Sequence, residues 1–112
     1  MALSEQPAIE WHRVARTSEV EEDDPKAVRV GDHLIAIYNV GGTIYATADV
    51  CTHEFASLSE GFVEGDVIEC PLHAGRFHIP SGKALSPPVT EDLGTYPVKL
   101  EGDDIYVGVP ID

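Results

Sequence analysis

Cys51-Thr52-His53, followed after sixteen residues by Cys70-Pro71-Leu72-His73, is the stretch that decides how this chain is read. Its two cysteines both lie there, and each has a histidine two or three residues downstream. Two thiolates and two imidazoles therefore arrive as matched pairs on two loops. Around them the chain reads as short strands separated by turns. Residues 27–30, His33–Val40 and Thr43–Ala48 precede the stretch, with Gly31-Asp32 and Gly41-Gly42 as turns. Gly-Gly between two apolar runs is a hairpin signal. Residues 9–14, with Trp11 as a packing residue, form a first edge strand. Between the ligand pairs, residues 57–61 are the one candidate for a helical turn. Phe62-Val63, a turn at Glu64-Gly65, and Val67–Glu69 make a hairpin that delivers Cys70. Beyond it, residues 76–79 form a strand turned by Pro80-Ser81-Gly82, and residues 85–89 with Pro87-Pro88 form a stiff loop. Residues 95–100, a turn at 102–104 and residues 105–109 make a last hairpin. Strands at short, regular spacing argue an antiparallel sandwich or barrel rather than βαβ units.

Composition bounds the class. At 112 residues the chain is read as one domain, 1–112, long enough to bury a core of its own. Its 43% hydrophobic content predicts a folded protein, and its 10 Gly and 8 Pro suit a turn-rich β protein. Seven basic residues against twenty acidic ones give a net charge of −13. Nucleic acid is excluded as a partner, because phosphate requires a basic face. The acidity either keeps the protein dispersed or steers it toward partners with a positive face. The run Glu-Val-Glu-Glu-Asp-Asp at 19–24 reads as a solvated loop, and residues 1–7 read as a loose tail. No stretch approaches eighteen apolar residues, so no membrane span is expected. The first twelve residues carry no apolar run with a basic start, so no signal peptide is expected. Two cysteines in such a chain point to a reducing cytoplasm and to a metal site rather than a disulfide.

Two Cys/His pairs could hold a tetrahedral zinc. Zinc modules usually pair cysteine with cysteine and histidine with histidine, so the mixed pairing is unusual for them. Iron–sulfur clusters take thiolates, and one class replaces two cysteines by two histidines on one of the two irons. The pattern C-x-H, a gap, then C-x-x-H resembles the Rieske [2Fe–2S] family. It is most similar to the small ferredoxins of bacterial aromatic ring-hydroxylating dioxygenases. The likeness extends to residues 56–61 (Ala-Ser-Leu-Ser-Glu-Gly), residues 65–71 (Gly-Asp-Val-Ile-Glu-Cys-Pro), Phe77, Gly82 and Ser86-Pro87-Pro88. It is weakest in the first 25 residues.

The resemblance implies an all-β fold, a Rieske-type antiparallel β-sandwich base with a small cluster-binding subdomain, about residues 47–90, at one tip. It implies one [2Fe–2S] cluster, with Cys51 and Cys70 on the inner iron and His53 and His73 on the outer. Phe55, Leu58, Leu72, Phe77 and Pro88 would form a dry shell. Respiratory relatives add a cysteine in each loop, where this chain has Ala56 or a neighbour and Leu72. They also place serine and tyrosine hydroxyls near the sulfurs, where this chain has Gly75 and Phe77. The resemblance further implies a one-electron carrier and not an enzyme. Its donor would be a flavin-containing NAD(P)H-dependent reductase, and its acceptor a terminal Rieske non-haem iron oxygenase. A cytoplasmic monomer is expected.

Other readings are weaker. A Rieske oxygenase needs a two-histidine, one-carboxylate iron site. Only His12, His33 and His78 are left for it, scattered along a short chain and read as surface or edge residues. A zinc-bound or cluster-free interaction subunit of the same fold is the alternative. Arg76, the only basic residue between 50 and 80, is either a docking contact or half of a structural ion pair.

Overall fold

A computed structural model describes residues 8–51, 56–72, 75–86 and 91–110. Within these residues, eleven strands build three antiparallel sheets. The first sheet joins β1 (Ile9–Arg16), β11 (Asp104–Pro110) and β10 (Val98–Glu101), in that order. A second joins β2 (Lys26–Val30), β3 (His33–Val40), β4 (Thr43–Ala48) and β9 (Thr95–Tyr96). These two sheets form the base. The third, the cap, joins β5 (Phe62–Glu64), β6 (Val67–Glu69), β7 (Arg76–His78) and β8 (Ala84–Ser86). Among the described residues no helix is long and apolar enough to cross a membrane.

The centre of the base is β3, and the strand period of two explains why. Ile35 and Ile37 point into the base core with Ile44, Ala46, Ile105 and Val107. Ala36 and Tyr38, one residue out of phase, point into a second core with Cys51, Leu58, Ile68, Cys70, Phe77, Ile79 and Leu93. One strand buried on both faces thus joins the base to the cap. The Tyr38 hydroxyl lies 2.9 Å from Thr47 Oγ1, which donates to the carbonyl of Ala48 at 2.9 Å. Burial pushes the Tyr38 phenol up, well above its ordinary pKa.

The cap leaves and re-enters the base between neighbours. β4 pairs with β9 through Ala46↔Tyr96 and Thr47↔Thr95. The Ala48 amide then donates to the carbonyl of Gly94 at 2.9 Å, which closes the neck.

Several strand boundaries differ from the sequence reading. The strand expected over 95–100 is split, because Pro97 has no amide to donate. β9 stays in the four-stranded sheet, β10 joins β11, and Pro97 still accepts from Gly108 N at 2.9 Å. Leu85 and Ser86, read as the start of a stiff loop over 85–89, instead belong with Ala84 to β8 beside β7. The cap hairpin turns at Gly65-Asp66 rather than Glu64-Gly65, with Gly65 at φ 62°. In the acidic run Val20 is buried, anchoring it to the base core, while Glu21, Glu22, Asp23 and Asp24 are exposed. Trp11, read as packing, is 38% exposed on the outer sheet face, with Lys99 Nζ 4.7 Å from its ring centroid.

Candidate metal centre

Cys51 follows β4 and Cys70 follows β6, so each ligand loop begins where a strand stops. The two loops are closed in the same way. The Cys51 amide donates to the carbonyl of Ala56 at 3.0 Å, and the Cys70 amide to that of Gly75 at 2.8 Å. Each cysteine is thus bonded five residues ahead, and each loop so closed contains one of the histidines of the motif. His53, Phe55, His73 and Pro88 lie outside the described residues.

Both cysteines are thiols rather than halves of a disulfide, and both are buried, at 4% and 1% exposure. They belong to one apolar cluster with Leu58, Ile68 and Phe77. Ile68 and Phe77 are cross-strand partners on its inner face, and Val63 extends that row. Leu58 and Phe77 lie in the core that holds the cysteines. Leu72 sits in the turn after Cys70 with 64% of its surface exposed. Gly75 is buried at the foot of the second loop.

Asp49 was not singled out from sequence. It is 5% exposed, and its Oδ1 accepts the Ser59 amide at 2.8 Å while its carbonyl accepts the Leu58 amide at 2.7 Å. Its own amide donates to the carbonyl of Leu34 on β3 at 2.9 Å. Asp49 thus fixes the 3-10 turn Leu58–Glu60 to the base and sets both ends of the first loop. A carboxylate between Ala48 and Val50, inside an apolar stretch, was the available signal. Gly61 is needed for a different reason. A Cβ there would overlap the carbonyl oxygen of Glu69, so the chain enters β5 pressed against β6.

The root of the proline loop is also pinned. The Ala84 amide donates to Asp92 Oδ1 at 2.8 Å, and the Leu93 amide to the Gly82 carbonyl at 2.7 Å. His78 takes no part in the site. Its Nδ1 lies 2.7 Å from Ser81 Oγ and its Nε2 3.0 Å from Asp66 Oδ2, which tie two cap turns together. His12 meets Glu10 at 3.0 Å and His33 meets the Tyr96 hydroxyl at 3.2 Å. Arg76 Nε pairs with Glu69 Oε1 across the sheet at 3.2 Å, a structural ion pair.

The residues present suit a thiolate-held cluster: two buried thiols, two loops of one construction, and a core that excludes water. Comparison with known proteins agrees. The description "Rieske [2Fe-2S] domain" matches residues 10–97. The ferredoxin component of the naphthalene 1,2-dioxygenase/salicylate 5-hydroxylase systems of Ralstonia sp is 50% identical over 81% of this chain and 88% of its own length. A ferredoxin of Sphingomonas yanoikuyae B1 superposes with a TM-score of 0.86 at 34% identity, covering 90% of this chain and all of its own. A structure described as a complex of reduced oxygenase and oxidized ferredoxin in carbazole 1,9a-dioxygenase contains a chain that superposes with a TM-score of 0.82. That chain is 44% identical, over 87% of this protein and 91% of its own length. The matched loops, the buried thiols and these likenesses together show that the chain belongs to the Rieske [2Fe–2S] family, among the ferredoxin components of aromatic dioxygenase systems.

Proposed function

We propose that this chain carries single electrons from a flavin-containing, NAD(P)H-dependent reductase to a terminal ring-hydroxylating oxygenase, in the cytoplasm and as a monomer. Cys51 and Cys70 hold the inner iron of its cluster, and His53 and His73 the outer. The observation that carries the reading is the pair of loops opened by buried Cys51 and Cys70 and closed five residues on by the same backbone bond. Ordinary core cysteines need no such loops.

Bound there, a [2Fe–2S] cluster supplies a one-electron couple, and two neutral imidazoles in place of two thiolates make its reduction easier. The chain's own residues do the rest. Leu58, Ile68, Phe77 and Ile79, each fully buried, keep water from the inner side. Asp49 fixes the first loop, and the Gly75 carbonyl fixes the second. Leu72, 64% exposed in the turn after Cys70, offers partners an apolar contact at the start of the second loop.

The electron paramagnetic resonance spectrum of anaerobically purified, dithionite-reduced protein tests this. A rhombic signal with an average g below that of four-cysteine ferredoxins is expected. Colourless protein with a silent spectrum would favour a zinc-bound or cluster-free interaction subunit instead.

Two further outcomes follow. Hydroxyl donors to the cluster sulfurs stabilise the reduced state, and neither Gly75 nor Phe77 has one. The midpoint should therefore lie at the low end of the Rieske range, near about −150 mV. A redox titration centred well above zero would refute this. Electron delivery to the oxygenase should also slow as ionic strength rises, because the charge of −13 steers docking at low salt. Rates indifferent to salt would reduce the acidity to a means of keeping the protein dispersed.

A further inference from the structure

The outer face of the cap sheet carries a feature that cluster binding does not require. Phe62 is 63% exposed, although a phenyl ring of that size is normally buried. Its placement is fixed. Gly61 before it has no room for a Cβ against the Glu69 carbonyl, and Phe62 itself pairs with Glu69. Across the sheet the same row continues from Glu69 to Arg76, whose side chains are already ion-paired at 3.2 Å. Phe62, Val63, Glu64, Val67, Glu69 and Arg76 enclose a shallow hollow of about 290 Å³. The row is the last rung of the sheet before Cys70 and Gly75, so anything seated on it lies beside the second ligand loop.

We propose that this face, centred on Phe62, is a docking surface for the terminal oxygenase, which meets it with an apolar socket for the ring and a rim of lysine or arginine. The inference rests on the function proposed above. Charge chooses the rim. Glu60 and Glu64 flank the ring in sequence on either side, while Glu69 and Arg76 in the hollow already offset one another. Aromatic residues, Phe among them, are enriched at interfaces, and a few central side chains carry most of the binding energy. Arg76 is held by Glu69 and so does not repel a basic partner as a lone cation would.

The test uses the cluster-loaded protein and the terminal oxygenase of the Ralstonia naphthalene 1,2-dioxygenase system, whose ferredoxin is 50% identical to this chain. Electron transfer is followed by stopped flow against oxygenase concentration for wild type, Phe62→Ser, Glu64→Lys and Leu100→Ser. Leu100 is the control, 47% exposed on β10 of the base. Phe62→Ser should raise the half-saturating oxygenase concentration about tenfold, with the visible spectrum and midpoint unchanged. Glu64→Lys should weaken docking at low salt, and Leu100→Ser should match wild type. Equal kinetics for Phe62→Ser, Glu64→Lys and wild type would overturn the proposal while leaving the carrier function intact. A wild type that passes no electrons would overturn the function first, and the docking face with it. Sedimentation showing a wild-type dimer that Phe62→Ser dissociates would make the face a contact between copies of this chain, and would also overturn it.

Discussion

Cys70→Ser is expected to yield colourless protein with no paramagnetic signal after reduction, and Cys51→Ser likewise. A serine hydroxyl is a poor soft ligand and does not ionise as a thiol does. No other cysteine in the chain can take its place. The histidines give the sharper arm of the same test. His73→Cys or His53→Cys places a charged thiolate where a neutral imidazole stood. Where the cluster survives, its midpoint should fall toward the four-cysteine range, a drop of up to about 250 mV. Redox titration and the reduced-state spectrum check both arms. If both histidine variants kept the wild-type spectrum and midpoint, the ligand assignment would be wrong. Retention of a full cluster by Cys70→Ser would be equally damaging.

Phe77→Ala carries the second-largest expected effect. Phe77 is fully buried, lies opposite Ile68 and Ala84, and shares its core with both cysteines. Truncating a buried phenylalanine costs about 3–5 kcal/mol, much of the stability of a small domain. The loss is local, because the β3 faces divide the apolar interior into two cores. Cap amides should therefore exchange faster while base amides such as those of β11 stay protected. Cluster absorbance should bleach sooner in air. Val107→Ala in the base core is the comparison, since Val107 is equally buried but lies in the other core. It should lower the melting temperature without hastening bleaching. Equal bleaching in the two variants would mean that the cores open together.

Much of this architecture was legible. His33–Val40 and Thr43–Ala48 have the expected bounds, since Gly41 and Gly42 adopt the positive φ that the tight turn needs. Cys51 and Cys70 were legible as loop openings because each stands just past a strand end. Departures came where distant residues decide. Nothing in the order of residues 95–100 says that β9 and β10 join different sheets. Pro97 marks the break only once both neighbours are known. Trp11 looked like core because it is a large aromatic, yet it lies 38% exposed on a face where Lys99 covers it. Asp49 was overlooked because a buried carboxylate is recognised by the amide it accepts, ten residues away.

The neck between base and cap has a consequence for how such a protein can change. Ala48 and Gly94 are already hydrogen-bonded, so the chain that leaves the base at one returns at the other. Bridging them with a tight turn would cost little loop entropy, and the strand order of the base would not need to be redrawn. The metal-bearing part is in this sense an insert on a scaffold that closes without it. Its length can change while the strands beneath keep the same neighbours, provided the Ala36 and Tyr38 face of β3 stays covered.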